Sequence, residues 1–189
     1  MVEKREYVIT QLSAIDGDLG LLLEGAYTEE IGKRSALVVE TESPITRDLL
    51  EKRVINSLGF QKIGSRIRAY LDEVMPNLQL ESEVFHGQVI YHNGKEENFY
   101  RPHQLDEELS RYSYQIPYRE AMLAIEAIYQ DDEKAQKGLL KRELSDRFVR
   151  ILGYTKHGSQ LDELFETVFR ILKETDVLRK KSNGKFVFH

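Results

Sequence analysis

The stretch Leu58-Gly59-Phe60-Gln61-Lys62-Ile63-Gly64-Ser65-Arg66-Ile67 is answered, ninety-four positions further on, by Leu152-Gly153-Tyr154-Thr155-Lys156-His157-Gly158-Ser159-Gln160-Leu161. Seven of the ten positions agree in identity or in kind: Leu, Gly, an aromatic, Lys, Gly, Ser, and Ile or Leu. A gapless match around two glycines argues for two copies of one small module. The shared residues should then explain the fold, and the differing ones should carry function. The first Gly of each stretch stands where a helix stops in the left-handed cap conformation. Ser65 and Ser159 stand where the next helix takes its N-cap, and Asp162 adds a capping box with a shortened acid.

Upstream of the first stretch, Leu49, Leu50, Val54 and Leu58 lie at helical spacing over 46–57, with charges opposite. Ser43-Pro44-Ile45 restarts the chain before that helix. An earlier helix is expected over 29–39, with Ile31, Ala36, Leu37 and Val38 turned inward. Downstream, Ile67, Leu71, Val74 and Met75 form the stripe of a third helix that ends at Pro76. Runs at 79–85 and 88–91 follow as a hairpin about His86-Gly87. The second copy repeats this order. A first helix contains Met122, Leu123, Ile125, Ala127 and Ile128, and a second spans 141–152. A third spans 159–173, and a hairpin closes on Phe186-Val187-Phe188. Asp131–Lys134 reads as a solvated insertion.

Three helices and a hairpin in this order predict a mainly α fold with small β wings (α+β), a tandem winged helix-turn-helix repeat. The expected divisions are an N-terminal arm at 1–30, with a strand at Tyr7–Thr10, and copy 1 at 31–95. An acidic Tyr/Pro linker at 96–117 and copy 2 at 118–189 complete them. The linker tyrosines (Tyr100, Tyr112, Tyr114, Tyr118) are expected to form an interface or the contact between the copies.

Composition narrows the classes. With 41% hydrophobic and 31% charged residues the 189-residue chain is an ordinary globular protein rather than a disordered one. The absence of cysteine removes disulfides, thiolate nucleophiles and cysteine metal sites. No run approaches the roughly 18 apolar residues of a membrane span, and the first residues carry no apolar signal region. A soluble cytoplasmic chain, without membrane contact, is therefore expected.

No constellation points to catalysis. The five histidines lack metal-ligand spacing, and phosphate-loop and nucleophile-elbow patterns are absent. The chain is read as non-enzymatic, with no catalytic residue, metal or cofactor. The Asp16-Gly17-Asp18 triplet lacks the downstream ligands of a calcium loop.

Charge distribution points instead to nucleic acid. The net charge is -5, yet residues 134–189 hold thirteen basic residues against seven acids. A recognition helix presents its N-terminal residues to the major groove. In copy 1 these are Ser65, Arg66 and Arg68, with Lys62 in the preceding turn, all suited to phosphate or guanine contact. Copy 2 has Gln160 and Asp162 there, and its cations lie on the wing instead, at Arg179, Lys180, Lys181 and Lys185, where they suit sequence-independent phosphate contact. Arg66 and Arg68 have an alternative role as flanks of an ordinary surface helix, paired with Asp72 or Glu73.

Glu42-Ser43-Pro44-Ile45, Leu49-Leu50, Arg53-Val54, Leu58-Gly59-Phe60 and Gly64-Ser65-Arg66-Ile67 together resemble a bacterial domain-of-unknown-function family. That family occurs near the C-terminal end of large superfamily 1 helicase proteins that also carry a nuclease domain like that of very-short-patch repair. The likeness covers residues 37–67, with Ser43 where the family usually has Gly. It implies an accessory module of DNA-processing, repair or defence machinery, without catalytic residues of its own. The implied partners are DNA and a helicase–nuclease protein or upstream domains of the same polypeptide. The alternative is a docking or dimerisation scaffold that self-associates without touching nucleic acid.

Overall fold

The computed structural model describes residues 1–95, 97–106 and 109–189. Glu96, Glu107 and Glu108, three acids of the expected linker, lie outside the described residues. In chain order the elements are β1 (Glu3–Lys4), α1 (Leu19–Leu23), α2 (Thr28–Glu42), β2 (Ile45–Thr46), α3 (Arg47–Ser57), α4 (Ser65–Val74), β3 (Ser82–Phe85), β4 (Gln88–Tyr91), β5 (Phe99–Tyr100), α5 (Tyr118–Asp131), α6 (Glu133–Gln136), α7 (Lys141–Ile151), α8 (Ser159–Glu174), β6 (Leu178–Lys180) and β7 (Phe186–Phe188). The protein is mixed α/β, mostly helical, with small sheets. Among the described residues no helix is long and apolar enough to cross a membrane.

The chain divides into two compact units, Val8–Lys95 and Met1–Tyr7 with Glu96–His189. Residues 1–30 are thus shared between the units. The first seven belong with the C-terminal unit, where β1 pairs in parallel with β5. Tyr7–Thr10 forms no strand. Tyr7 is buried against two arginines instead.

In the Val8–Lys95 unit the sheet order is β2-β4-β3, with Ile45 opposite Tyr91 and Val84 opposite Val89. The core gathers Leu22, Ile31, Val38, Leu50, Val54, Ile55, Leu58, Leu71 and Ile90. Helix α2 differs from expectation. Leu37 is 56% exposed and Ala36 also faces solvent, whereas Arg34, Ser35 and Glu42 are buried. Positions 31, 34, 35, 38 and 42 share one face at 3.6 residues per turn, and two of them are charged. Arg34 is satisfied by Glu30 at 2.6 Å and by the Ser13 carbonyl at 2.7 Å. Glu42 accepts from the Thr10 backbone N–H at 3.0 Å and from Arg53 at 3.3 Å.

The C-terminal unit has the same order: α5, a lone bridge between Leu139 and Phe186, then α7, α8 and the β6–β7 hairpin. Leu139 lies on the opposite side of β7 from β6, as β2 lies on the opposite side of β4 from β3. The stripe Leu161, Leu164, Phe165, Val168, Leu172 of α8 is buried as its spacing predicts. Rings run through this core from Phe148 to Phe165 to Phe169 to Phe186 at centroid separations of 5.5, 5.5 and 4.9 Å. The expected solvated insertion is in fact the one-turn helix α6. Asp132 caps it through the Lys134 and Ala135 N–H groups, and Ala135 is fully buried.

The repeated Leu-Gly-aromatic stop has the same job in both units. Leu58 and Leu152 are fully buried helix ends, and Gly59 and Gly153 take φ of +90° and +80°. Over each stop runs the segment that precedes the unit's first long helix. In one unit the Ile15 and Gly17 N–H groups donate to the Ser57 and Leu58 carbonyls at 2.9 and 3.0 Å. In the other the His103 N–H donates to the Leu152 carbonyl at 2.8 Å. A Cβ on Gly59 would stand 2.8 Å from the Ile15 oxygen, and one on Gly153 2.8 Å from the His103 oxygen. The aromatic then covers the crossing segment, with Phe60 against Gly17 and Tyr154 stacked on His103 at 4.7 Å.

The crossing segment of the C-terminal unit is anchored by a buried charge cluster. Glu120, in the first turn of α5, accepts from the Arg101 backbone N–H at 2.8 Å. It also pairs with the guanidinium groups of Arg101 and Arg111, each at 2.7 Å. Both guanidinium groups lie over the Tyr7 ring, at 5.1 and 4.6 Å. Burial alone would push the Glu120 carboxyl up; the charges and hydrogen bonds of Arg101 and Arg111 outweigh it and hold it at about 2.

Gly59→Ala and Gly153→Ala should each cost about 2–3 kcal/mol or more in urea unfolding, from the left-handed backbone and the added clash. Glu120→Gln should cost about 3–5 kcal/mol, because it leaves two buried guanidinium groups without their anion. Since the folded pKa of Glu120 is depressed, its contribution is present above its ordinary value near 4.5. It is lost as pH falls toward about 2, so the cost of Glu120→Gln should shrink in acid unfolding series.

Candidate nucleic-acid interface

The turn after Gly59 delivers the chain to α4, and here the local structure departs from the sequence reading. Gly64, not Ser65, is the N-cap. Its extended dihedrals (φ −75°, ψ 174°) are those of a cap, Ser65 is already the first helical residue, and no side chain caps the helix. The same shift holds in the other unit, where Gly158 is the N-cap and Ser159 begins α8 without capping it. Neither glycine is demanded by space, since a Cβ on either meets nothing within 4 Å. The Gly-Ser pair therefore leaves both helix N-termini bare, rather than capping them.

The two bare ends differ in charge. The first turn of α4 holds no acid, and a bare helix N-terminus carries partial positive charge. Lys62, Ser65 and Arg66 are exposed there, and none makes a hydrogen bond or ion pair among the described residues. Arg68 is placed differently. Its guanidinium is bound to the fully buried Glu51 and lies 3.8 Å from Asp48, so it braces α4 against α3. Arg47 completes the brace, donating to Glu51 and to Asp72 at 2.6 Å each. Of the four α4 candidates, three share one open cationic end and the fourth is held by carboxylates.

In the C-terminal unit, Lys141 pairs with Glu166 at 2.6 Å. These are the positions ninety-four beyond Arg47 and Asp72, so the second and third helices of both units are tied by the same ion pair. The rest of the brace has changed chemistry. Where one unit has Glu51 and Arg68, the other has Ser145 and Asp162. His157 fills the gap, with Nδ1 2.7 Å from Asp162 and Nε2 3.0 Å from Asp146. Hydrogen bonds to Asp162 and Asp146 raise the imidazole above its ordinary value. The sequence signal for these braces is a cation followed twenty-five residues later by an acid in both units, a spacing outside the repeated Gly-Ser turn.

The second set of candidates lies on the β6–β7 hairpin. Lys180 is exposed and unpaired among the described residues, whereas Arg179 bonds Asp176. Lys181 reaches the Lys137 carbonyl at 3.3 Å, and its backbone N–H closes the turn on the Lys185 carbonyl at 2.7 Å. Lys185 is half-buried and adds positive potential at Glu143. The hairpin thus clusters all four cations, with Lys180 the most available. Among the described residues no group of three or more His, Asp and Glu side chains is arranged to hold a metal ion.

Both units place a helix pair, braced by ion pairs, before a two-stranded hairpin. That arrangement defines a small mixed α/β protein whose charged helix ends and hairpin are its most distinctive surface features. A family model described as "Protein of unknown function (DUF3320)" matches residues 21–69, which takes in α2, α3 and the Lys62–Arg68 end of α4. No curated protein and no solved structure matches the chain.

The His157 clamp gives a pH dependence whose sign is fixed. A raised folded pKa means the clamp is fully present below the unfolded value near 6.5 and is lost as pH rises through the folded one. The stability difference between the protein and its His157→Gln variant should therefore be larger at pH 5.5 than at pH 8.5. It should stay below about 1 kcal/mol, because solvent screens this exposed trio.

Proposed function

We propose that the chain is a tandem winged-helix module that binds DNA without chemistry of its own, as an accessory part of a DNA-processing, repair or defence system in the cytoplasm. One observation carries the reading. Lys62, Ser65 and Arg66 surround the bare, acid-free N-terminus of α4, and the neighbouring cations Arg47 and Arg68 are already neutralised. Helix N-termini with adjacent cations bind phosphate, and a third helix entering the major groove by its N-terminal end is the docking geometry of helix-turn-helix proteins. Lys180 and its neighbours on the second hairpin add phosphate contacts that carry no sequence preference. The helix–strand–helix–helix–hairpin order of the Val8–Lys95 unit, matched in the other unit with a single bridge at Leu139 in place of the strand, supports the winged-helix assignment. The likeness of residues 37–67 to helicase-associated domains supports a helicase–nuclease protein as partner.

A second reading, docking to protein or to another copy, draws on the β3 edge. Val84 is 72% exposed there, and that hairpin tip, Phe85-His86-Gly87, has no lysine or arginine. Light scattering that shows a stable dimer together with no DNA affinity would favour it.

The DNA reading predicts affinity that falls steeply with salt. Lys62→Ala with Arg66→Ala should reduce the slope of log affinity against log salt by about 2. Gly64→Asp separates binding from folding. The new side chain meets open space and caps the helix, so stability should rise by a few tenths of a kcal/mol, to about 1 at most. Duplex affinity should nevertheless fall, because a carboxylate now occupies the phosphate position. Undiminished binding by Gly64→Asp, in fluorescence anisotropy at fixed salt, would refute this placement of DNA.

A further inference from the structure

In the C-terminal unit the residues ninety-four beyond Lys62, Ser65 and Arg66 are Lys156, Ser159 and Gln160, and their surroundings are different. They line an open cleft of about 370 Å³, whose opposite wall is built from His103 and Tyr112 of the 97–117 segment. Tyr112 stacks on Tyr114 with centroids 5.5 Å apart and planes within 5° of parallel. Both residues are about half exposed, at 55% and 48%. Tyr154, stacked on His103, also lines the cleft.

The polar groups of the cleft select among flat ligands. Lys156 is exposed and makes no ion pair among the described residues, and no carboxylate lines the cleft among them. The acid in the first turn of α8, Asp162, is turned to His157 at 2.7 Å. A cation beside stacked rings suits a ligand that alternates anionic and aromatic groups. Gln160 adds an amide that can both donate to and accept from a base edge. A duplex offers phosphates but hides its bases in the stack, whereas a single strand offers both. A neutral sugar would use the rings and leave Lys156 idle.

We infer that this cleft is a single-strand site, in which an unpaired base packs on Tyr112, backed by Tyr114, while Lys156 takes the adjacent phosphate and Gln160 reads a base edge. The inference rests on the proposal that the protein engages nucleic acid, and it divides the work: the α4 end takes duplex and the α8 end takes unpaired strand.

The test uses the whole chain and two labelled probes, an oligothymidylate of about twelve nucleotides and a duplex of equal length, followed by anisotropy. The chain has no tryptophan and ten tyrosines, so quenching of tyrosine fluorescence by the oligothymidylate that disappears in the Tyr112→Ala with Tyr114→Ala variant assigns stacking to this pair. Tyr112→Ala with Tyr114→Ala should weaken single-strand binding by about tenfold or more and duplex binding by less than about twofold. Tyr112→Phe with Tyr114→Phe should keep the affinity, since the rings remain. Lys156→Glu, an exposed change without folding consequences, should also lower single-strand affinity. Lys62→Ala with Arg66→Ala should do the reverse, losing duplex and keeping single strand. Binding to duplex alone would overturn this inference and leave the broader proposal standing; binding to neither probe would overturn both. Single-strand affinity unmoved by the tyrosine and Lys156 changes would also overturn it. So would displacement of the oligothymidylate by a neutral oligosaccharide.

Discussion

Both units depend on a strap of chain pressed backbone to backbone against the end of a helix. At Gly59 and Gly153 the helix stops, turns into the left-handed region, and meets a second segment at a distance no Cβ could tolerate. Each backbone hydrogen bond in the strap contributes only about 0.5–1.5 kcal/mol net. What they fix is geometry. The turn that follows the strap sets where the third helix starts and what its first residues face. Lys62 and Arg66 in one unit, and Lys156 and Gln160 in the other, are displayed where they are because Ile15–Gly17 and His103 hold the preceding stop in place.

The straps are secured by charges placed where apolar residues would be expected. Arg34 and Glu42 sit on the inner face of α2, and Glu120 sits in the first turn of α5. Each bonds the backbone of its strap: Arg34 the Ser13 carbonyl, Glu42 the Thr10 N–H, and Glu120 the Arg101 N–H. A buried ion pair adds little net stability over a hydrophobic replacement, so these residues are poorly explained as glue. They are well explained as address labels. Apolar packing would accept the strap in several registers, whereas a buried carboxylate that needs one particular N–H accepts one.

This placement also explains how far the sequence could be read. The apolar stripes of α3, α4 and α8 follow helical periodicity, and the repeat located both helix stops to the residue. The inner face of α2 is not legible in the sequence because Arg34 and Glu42 break its stripe, and their partners lie twenty-one and thirty-two residues upstream, beyond any local pattern. Ser65 and Ser159 read as caps because Ser is a favoured capping residue. Which residue takes the extended dihedrals is decided by where the turn ends, and that lies one position earlier. The short helix α6 was hidden by four consecutive charges, Asp131–Lys134, of which Asp132 is a cap rather than a solvated side chain.

The two units share a helix order and a pair of helix stops, and they differ in the residues around them. Arg47–Asp72 and Lys141–Glu166 keep the same tie between the second and third helices, so the geometry of each pair is maintained by a charge couple that tolerates Arg or Lys, and Asp or Glu. The neighbouring tie is Glu51–Arg68 in one unit and Asp146–His157–Asp162 in the other, where it depends on a proton on the imidazole. That exchange has a consequence for the exposed surface. With Arg68 consumed by Glu51, the α4 end relies on Lys62 and Arg66 for its positive charge. At the α8 end Asp162 is engaged by His157 instead, and among the described residues no arginine stands beside it. The unlike residues at these ends, and not the repeated Leu-Gly and Gly-Ser pairs, are where the exposed surfaces of the two units differ.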